Sequence, residues 1–177
     1  QSLYERGQDV APCLEKLKNI TLQTIGEVRN LSSEIRPPDL DDEGLIIALK
    51  NIMGNLGTRF AIQINFKYKG FHKRLPQTIE NALYRITREA LINAAKYSKA
   101  ERIDVVLELN DDRVLLTVTD YGEGFRFSES RKGVGIYSMK ERAAILGGNV
   151  AIFSDIGRGT KVKAEIPIQQ GDEVGKN

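Results

Sequence analysis

Residues 84–98 read YRITREALINAAKYS, and extended back to Ile79 they decide how the rest of the chain is arranged. At about 100° per residue, Ile79, Leu83, Ile86, Ala90 and Ala94 share one stripe of a helix, wide enough to bury against a neighbouring layer. Glu89, Asn93 and Lys96 lie along the border of that stripe rather than opposite it. Polar side chains that serve only solvation occupy the far face. These three are therefore expected to point into a cleft between the helix and whatever it covers.

Working outward, 103–109 and 113–119 alternate apolar and polar residues on either side of Asn110-Asp111-Asp112, the pattern of a hairpin. Upstream, Leu45, Ile46, Leu49, Ile52, Met53 and Leu56 predict a helix capped by Asp41 or Asp42 and stopped by Gly57, followed by a strand through Ile62, Ile64, Phe66 and Tyr68. A polar, glycine-bearing loop spans 120–132, a helix 135–146 is closed by Gly147-Gly148, and two strands, 149–154 and 160–168, flank 155–159. The layout is α+β: a sandwich with helices on one face of a mixed, mostly antiparallel sheet.

Before this unit, Val10, Leu14, Leu17, Thr21, Thr24, Val28, Leu31 and Ile35 recur in steps of four and three, the seam of a long coiled-coil-like helix that needs a partner to bury against. Pro37-Pro38 ends it. The expected division is a helix over 1–38, a second domain over 39–170 and a disordered polar tail over 171–177.

A net charge of +2, spread through the chain with no basic block, argues against nucleic-acid binding. One cysteine, Cys13, cannot make an internal disulfide and suits a reducing cytoplasm. No apolar run approaches membrane-spanning length and the first residues are not a signal peptide, so a membrane tether is expected only outside this fragment.

Four features carry chemistry: Glu89-x-x-x-Asn93, Asp120-x-Gly122-x-Gly124, Gly133-x-Gly135 and Gly157-x-Gly159-Thr160. Singly, each has a plain reading, a turn or a solvated helical pair. Together in one domain they suit a nucleotide. A buried Asp120 at a strand end can accept a hydrogen bond from an exocyclic amino group such as adenine's, and Gly122 and Gly124 let the backbone approach a flat ring. Gly133 and Gly135 precede a helix and can offer N–H groups to phosphate. Asn93 supplies an oxygen for Mg²⁺, Lys96 faces phosphate charge, and Glu89 orients a cation-bound water or acts as a base. There is no Gly-x-x-x-x-Gly-Lys-Ser/Thr loop and no His-Arg-Asp of a protein kinase, while one cysteine and one histidine rule out a zinc site.

In this order and spacing the features resemble the N, G1, G2 and G3 boxes of the Bergerat-type (GHKL) ATP-binding domain shared by DNA gyrase, the heat-shock chaperone of the same fold, MutL and sensor histidine kinases. Residues 84–98, with Ile35-Arg36-Pro37, Leu40 and Gly44-Leu45, and with Gly135-Ile136, Met139 and Glu141-Arg142, are most similar to the nitrate-sensor and desaturase-regulating branch of two-component histidine kinases. The resemblance implies Mg²⁺ on Asn93 and adenine read by Asp120. It also implies a base pocket shaped by Gly122 and Gly124, phosphates on Gly133 and Gly135, Thr160 supporting adenine through water, and Gly159 among the ATP-binding residues. Tyr97 stands where the family has histidine, and its hydroxyl can take that place near phosphate.

The same resemblance makes 8–36 the second helix of a dimerisation bundle. The first helix, with its acceptor histidine, lies outside this chain. His72, in the basic loop 70–74, is read as a surface residue and not as the phosphoacceptor. The implied partners are ATP or ADP, a response regulator, the missing first helix and a second copy of the chain. Two alternatives stand beside this reading: an anti-sigma-factor-type serine kinase or nucleotide-gated module with the same site, and a nucleotide-free helical adaptor whose glycines are only turns.

Overall fold

The computed structural model describes residues 14–15, 38–126 and 134–168. The chain divides into two compact units, Gln1–Pro38 and Asp39–Asn177. In the first, Leu14 and Glu15 are helical and exposed; the rest of the heptad seam lies outside the described residues, as does the 171–177 tail.

From Pro38 onward the described elements are α1 (Pro38–Asp42), α2 (Leu45–Phe60), β1 (Gln63–Lys69), α3 (Gln77–Tyr97), β2 (Arg102–Leu109), β3 (Arg113–Asp120), α4 (Val134–Ile145), β4 (Asn149–Asp155) and β5 (Gly159–Pro167). The five strands form one sheet in the order β1-β2-β3-β5-β4. β1 and β2 pair in parallel with α3 as their crossover, and the remaining neighbours are antiparallel. This is the expected α+β sandwich: α2, α3 and α4 pack on the sheet face that carries Ile103, Val105, Leu107, Val114, Leu116 and Val118. The strict alternation of burial along β2 and β3 follows from their period-two sequence.

α3 lies between α2 and α4 and is the spine of this layer. It has neither Gly nor Pro between Gln77 and Tyr97, and Ile79, Leu83, Ile86, Ala90, Leu91 and Ala94 are buried, as the stripe predicts. No side chain caps it at Pro76. Instead the Glu80 carboxylate reaches back to the Leu75 N–H at 3.3 Å, and the Arg74 guanidinium closes on the same carboxylate at 2.8 Å. Arg74 also donates to the carbonyl oxygens of Leu40 (2.6 Å) and Asp41 (2.9 Å), fastening α1 to the start of α3.

Two helix boundaries differ from the sequence expectation. α2 is not capped by Asp41 or Asp42, which fall within α1. Its N-cap is Gly44, whose φ of 86° lets the chain turn beneath Arg74. Gly57 does not stop α2 either. The helix continues to Phe60, and the N–H groups of Ala61 and Ile62 both return to the Gly57 carbonyl. A Cβ on Gly57 would lie only 3.0 Å from the Ile62 carbonyl, so the glycine makes room for the reversal from inside the last turn.

Candidate functional site

The lower half of α3 forms one wall of a cavity of about 520 Å³, with Glu89, Ala90, Asn93, Ala94, Tyr97 and Ser98 along it. Val118 and Asp120 of β3, Ile152 of β4 and Thr160 and Val162 of β5 line its floor. Gly124, Phe125 and the start of α4 (Gly135, Ile136, Met139) complete it. Apolar side chains dominate, with a few polar groups among them, the usual composition of a small-molecule pocket. From Glu89 to Ser98 the α3 axis covers about 13 Å.

At the Ser98 end, Asp120 is buried where β3 stops. Its Oδ1 accepts the N–H groups of Gly122 (3.1 Å) and Thr160 (3.2 Å), and the Thr160 side chain also hydrogen-bonds the carboxylate. Burial pushes the Asp120 carboxyl above the usual carboxylate range, while the hydrogen bonds from Gly122 and Thr160 pull it partly back. A carboxyl desolvated in this way is poised toward whatever donor enters the cavity.

Three chain segments are laced together around it. Glu123 N–H donates to the Ser98 carbonyl at 2.7 Å, and Gly157 N–H donates to the Glu123 carbonyl at 2.6 Å. This close lacing dictates the glycines. A Cβ on Gly122 would overlap the Ser98 carbonyl, one on Gly124 the Asp155 carbonyl, and one on Gly159 the Asp120 carbonyl. Gly124 and Gly159 also have positive φ, 62° and 73°. Gly124 lines the cavity; Gly122 and Gly159 do not, and act as the backbone contact behind it.

Toward the other end, Asn93 Nδ2 donates to Glu89 Oε1 at 3.1 Å, and both residues are half-buried. A Cβ on Gly135 would fall on that same Glu89 oxygen, so the first turn of α4 rests directly against the carboxylate. Tyr97 is on the wall but largely exposed, and Lys96 is exposed and does not line the cavity. Gly133 lies outside the described residues.

Sequence reasoning gave no place in the site to Phe125, Ile152 and Val162, and quoted Ser98, Ile136 and Met139 only as motif residues, yet all six are on the wall. Apart from Ser98 they are apolar and read as ordinary core, and only the meeting of the strands with α3 and α4 collects them. Ser154 was also passed over, although its Oγ accepts from Phe125 N–H at 2.9 Å. A lone serine on a strand carries no sequence signal.

A family model described as histidine kinase-, DNA gyrase B-, and HSP90-like ATPase matches residues 78–170, just over half of the chain. The oxygen sensor histidine kinase NreB of Staphylococcus carnosus is 37% identical over 156 residues, 87% of this chain but 45% of that protein, so the chain spans about half of this relative's length. Among solved structures, the histidine kinase domain of a blue-light activated histidine kinase from Erythrobacter litoralis EL346 aligns with a TM-score of 0.58 at 20% identity, covering 71% of this chain and 62% of that one. A mycobacterial sensor histidine kinase, MprB, aligns with a TM-score of 0.54 at 20% identity, covering 69% and 93%. At those identities the structural likeness is one of fold. With its sheet order, its α3 crossover and the match across the cavity-forming segments, the chain belongs to the histidine kinase-, DNA gyrase B- and HSP90-like ATPase family.

Proposed function

We propose that residues 39–170 are the ATP-binding catalytic region of a two-component sensor histidine kinase, which transfers the γ-phosphate of Mg-ATP to a histidine outside this chain. The observation that carries this reading is a single cavity joining a buried acceptor, Asp120, to the Glu89–Asn93 pair further up the same helix wall. The family is an ATPase family, and the relative from Staphylococcus carnosus is named a histidine kinase.

In this reading Asp120 Oδ2 accepts the exocyclic amino group of adenine, and Thr160 supports the base through water. Val118, Ile136, Met139, Ile152 and Val162 cover the ring and keep bulk water from it. Gly135, with Gly133, offers phosphate the N–H groups at the start of α4. Among the described residues no cluster of three or more His, Cys, Asp or Glu side chains could ligate a metal, but an amide oxygen beside a carboxylate fits Mg²⁺, which takes few protein ligands. When bound, Mg-ATP supplies the phosphoryl group and the cation that offsets its charge. Asn93 Oδ1 is the cation's protein ligand, and Glu89 orients a cation-bound water or takes the proton of the attacking group. Lys96, exposed one turn beyond Asn93, and the Tyr97 hydroxyl meet phosphate charge at the rim.

The same reading assigns a cytoplasmic location, a response regulator as the downstream partner, and a homodimer formed through residues 10–35 and a preceding helix. Among the described residues no helix is long and apolar enough to cross a membrane. The test supplies a separate fragment bearing the acceptor helix, together with labelled ATP. Alkali-stable, acid-labile phosphate on that fragment is expected. Phosphate that survives acid would point to a serine kinase, and no transfer with any divalent cation would remove the reading.

A further inference from the structure

Asp120 is the last residue of β3 to pair within the sheet, with Ile103 on one side and Thr160 on the other. The main chain then leaves the ladder at Tyr121. Successive side chains of a strand point to opposite faces, so with Asp120 turned to the cavity Tyr121 emerges on the other face of the sheet and does not line the site. Its side chain is 51% exposed, a setting in which a tyrosine ordinarily has no fixed partner. Here it is gripped twice. The Arg102 guanidinium lies 4.1 Å from the ring centroid, and the Tyr121 hydroxyl donates to Asp104 Oδ2 at 2.6 Å. Asp104 is itself fixed: Oδ1 accepts from Asn65 Nδ2 of β1 at 2.8 Å, and Arg102 Nε is 3.6 Å away. The hydrogen bond from Tyr121, and after it the one from Asn65, hold the Asp104 carboxyl below the usual carboxylate range, so the acceptor is charged at neutral pH. Side chains of β1 and β2 thus carry the sheet one residue further after its main-chain pairing has ended.

We infer that Tyr121 is a positioning residue for the nucleotide site: pinned to Asp104 and Arg102 from the far side of the sheet, it sets the direction in which the chain leaves Asp120. Gly122 N–H donates to Asp120 Oδ1 at 3.1 Å, and Glu123 N–H reaches the Ser98 carbonyl at 2.7 Å. Both bonds depend on the backbone angles at Tyr121. The glycines that follow lend the segment little stiffness of their own, so the restraint has to come from this side chain. Without it, the segment from Gly122 to Phe125, which ends on the cavity wall, would have to be ordered by the ligand, and affinity would fall by that cost. This role rests on the nucleotide-site reading above and deepens it.

The test is a double-mutant cycle read as Mg-ADP affinity, by calorimetry of the 177-residue chain well below its melting temperature. Tyr121→Phe keeps the ring and its stacking and removes only the hydroxyl; the Kd should rise roughly fivefold, the worth of one net hydrogen bond. Asp104→Ala, from the other end of the same bond, should weaken binding equally, and the double variant no further. It also keeps the test available should the phenylalanine variant not fold. Asp104→Asn retains an oxygen for the hydroxyl and should recover most of the affinity that Asp104→Ala loses. A merely structural clamp would lower the melting temperature and leave the Kd unchanged, and that result overturns the inference. Losses that simply add in the double variant would overturn it too, since the two residues would then act apart. If the wild-type chain bound no Mg-ADP, the site reading itself would fall, whereas wild-type affinity in both single variants removes only the role of Tyr121.

Discussion

Asn93 and Glu89 hold one another a single turn apart on α3, amide nitrogen to carboxylate oxygen at 3.1 Å. The amide nitrogen is thereby occupied, and the amide oxygen is the atom left for a cation. Asn93→Ala should abolish Mg-ADP binding by calorimetry. Its cost to the fold should be small, about 0.5 kcal/mol for a half-buried helical pair. Wild-type affinity in this variant would withdraw the assignment of Asn93.

Gly135→Ala should separate stability from activity. The residue lies in the first turn of α4, where alanine is the better helix former, so the melting temperature should hold or rise slightly. The new methyl group meets a flexible carboxylate instead of backbone, and should push Glu89 off Asn93. Phosphotransfer is expected to fall at least about tenfold, the effect of a misplaced polar group in a site. A variant with normal rate and intact Glu89 geometry in a structure would contradict this.

Asp120 gives a pH-dependent prediction. Its folded pKa is raised by burial, so the stability this group permits is complete below the ordinary aspartate range and is lost as pH rises through the raised folded value. At pH 7 the buried charge therefore works against folding. Asp120→Asn should be more stable than wild type in urea at pH 7, with the margin narrowing as pH falls toward 4, while adenine selectivity weakens. A margin that widens on acidification would reverse the sign assigned here.

Arg74 and Glu80 form an asymmetric pair, the guanidinium side chain 48% exposed and the carboxylate 4%. Arg74→Ala strands a buried charge and should cost about 3 kcal/mol in denaturant unfolding. Glu80→Gln keeps an oxygen for the Leu75 N–H and should cost less, about 1 kcal/mol. Equal costs would show that the buried carboxylate does not depend on Arg74.

Periodicity made the secondary structure legible. The α3 stripe, the β2–β3 hairpin and the final strand pair stand close to where the residue pattern sets them, because a buried face repeats along the chain. What periodicity cannot reach is contact between segments far apart in sequence. Gly44 as a cap depends on Arg74, thirty residues on, and Gly57 inside a helix depends on the return of Ile62. Gly122 and Gly159, expected among the nucleotide-binding residues, do not line the cavity, and a Cβ on either would meet the carbonyl of another segment. Ser154 makes three hydrogen bonds that no local signal announces. The motif residues could be read as a group since their chemistry is shared, whereas the apolar wall could not, being indistinguishable from core until the layers meet.

The grip of Arg74 on Leu40 and Asp41 is made through main-chain oxygens, so it is indifferent to which side chains those positions carry. Its other hand is on Glu80, in the first turn of α3, and Asn93 lies about 20 Å further along the same unbroken rod. The segment that opens this unit is thus fastened to the same rod that forms the cavity wall.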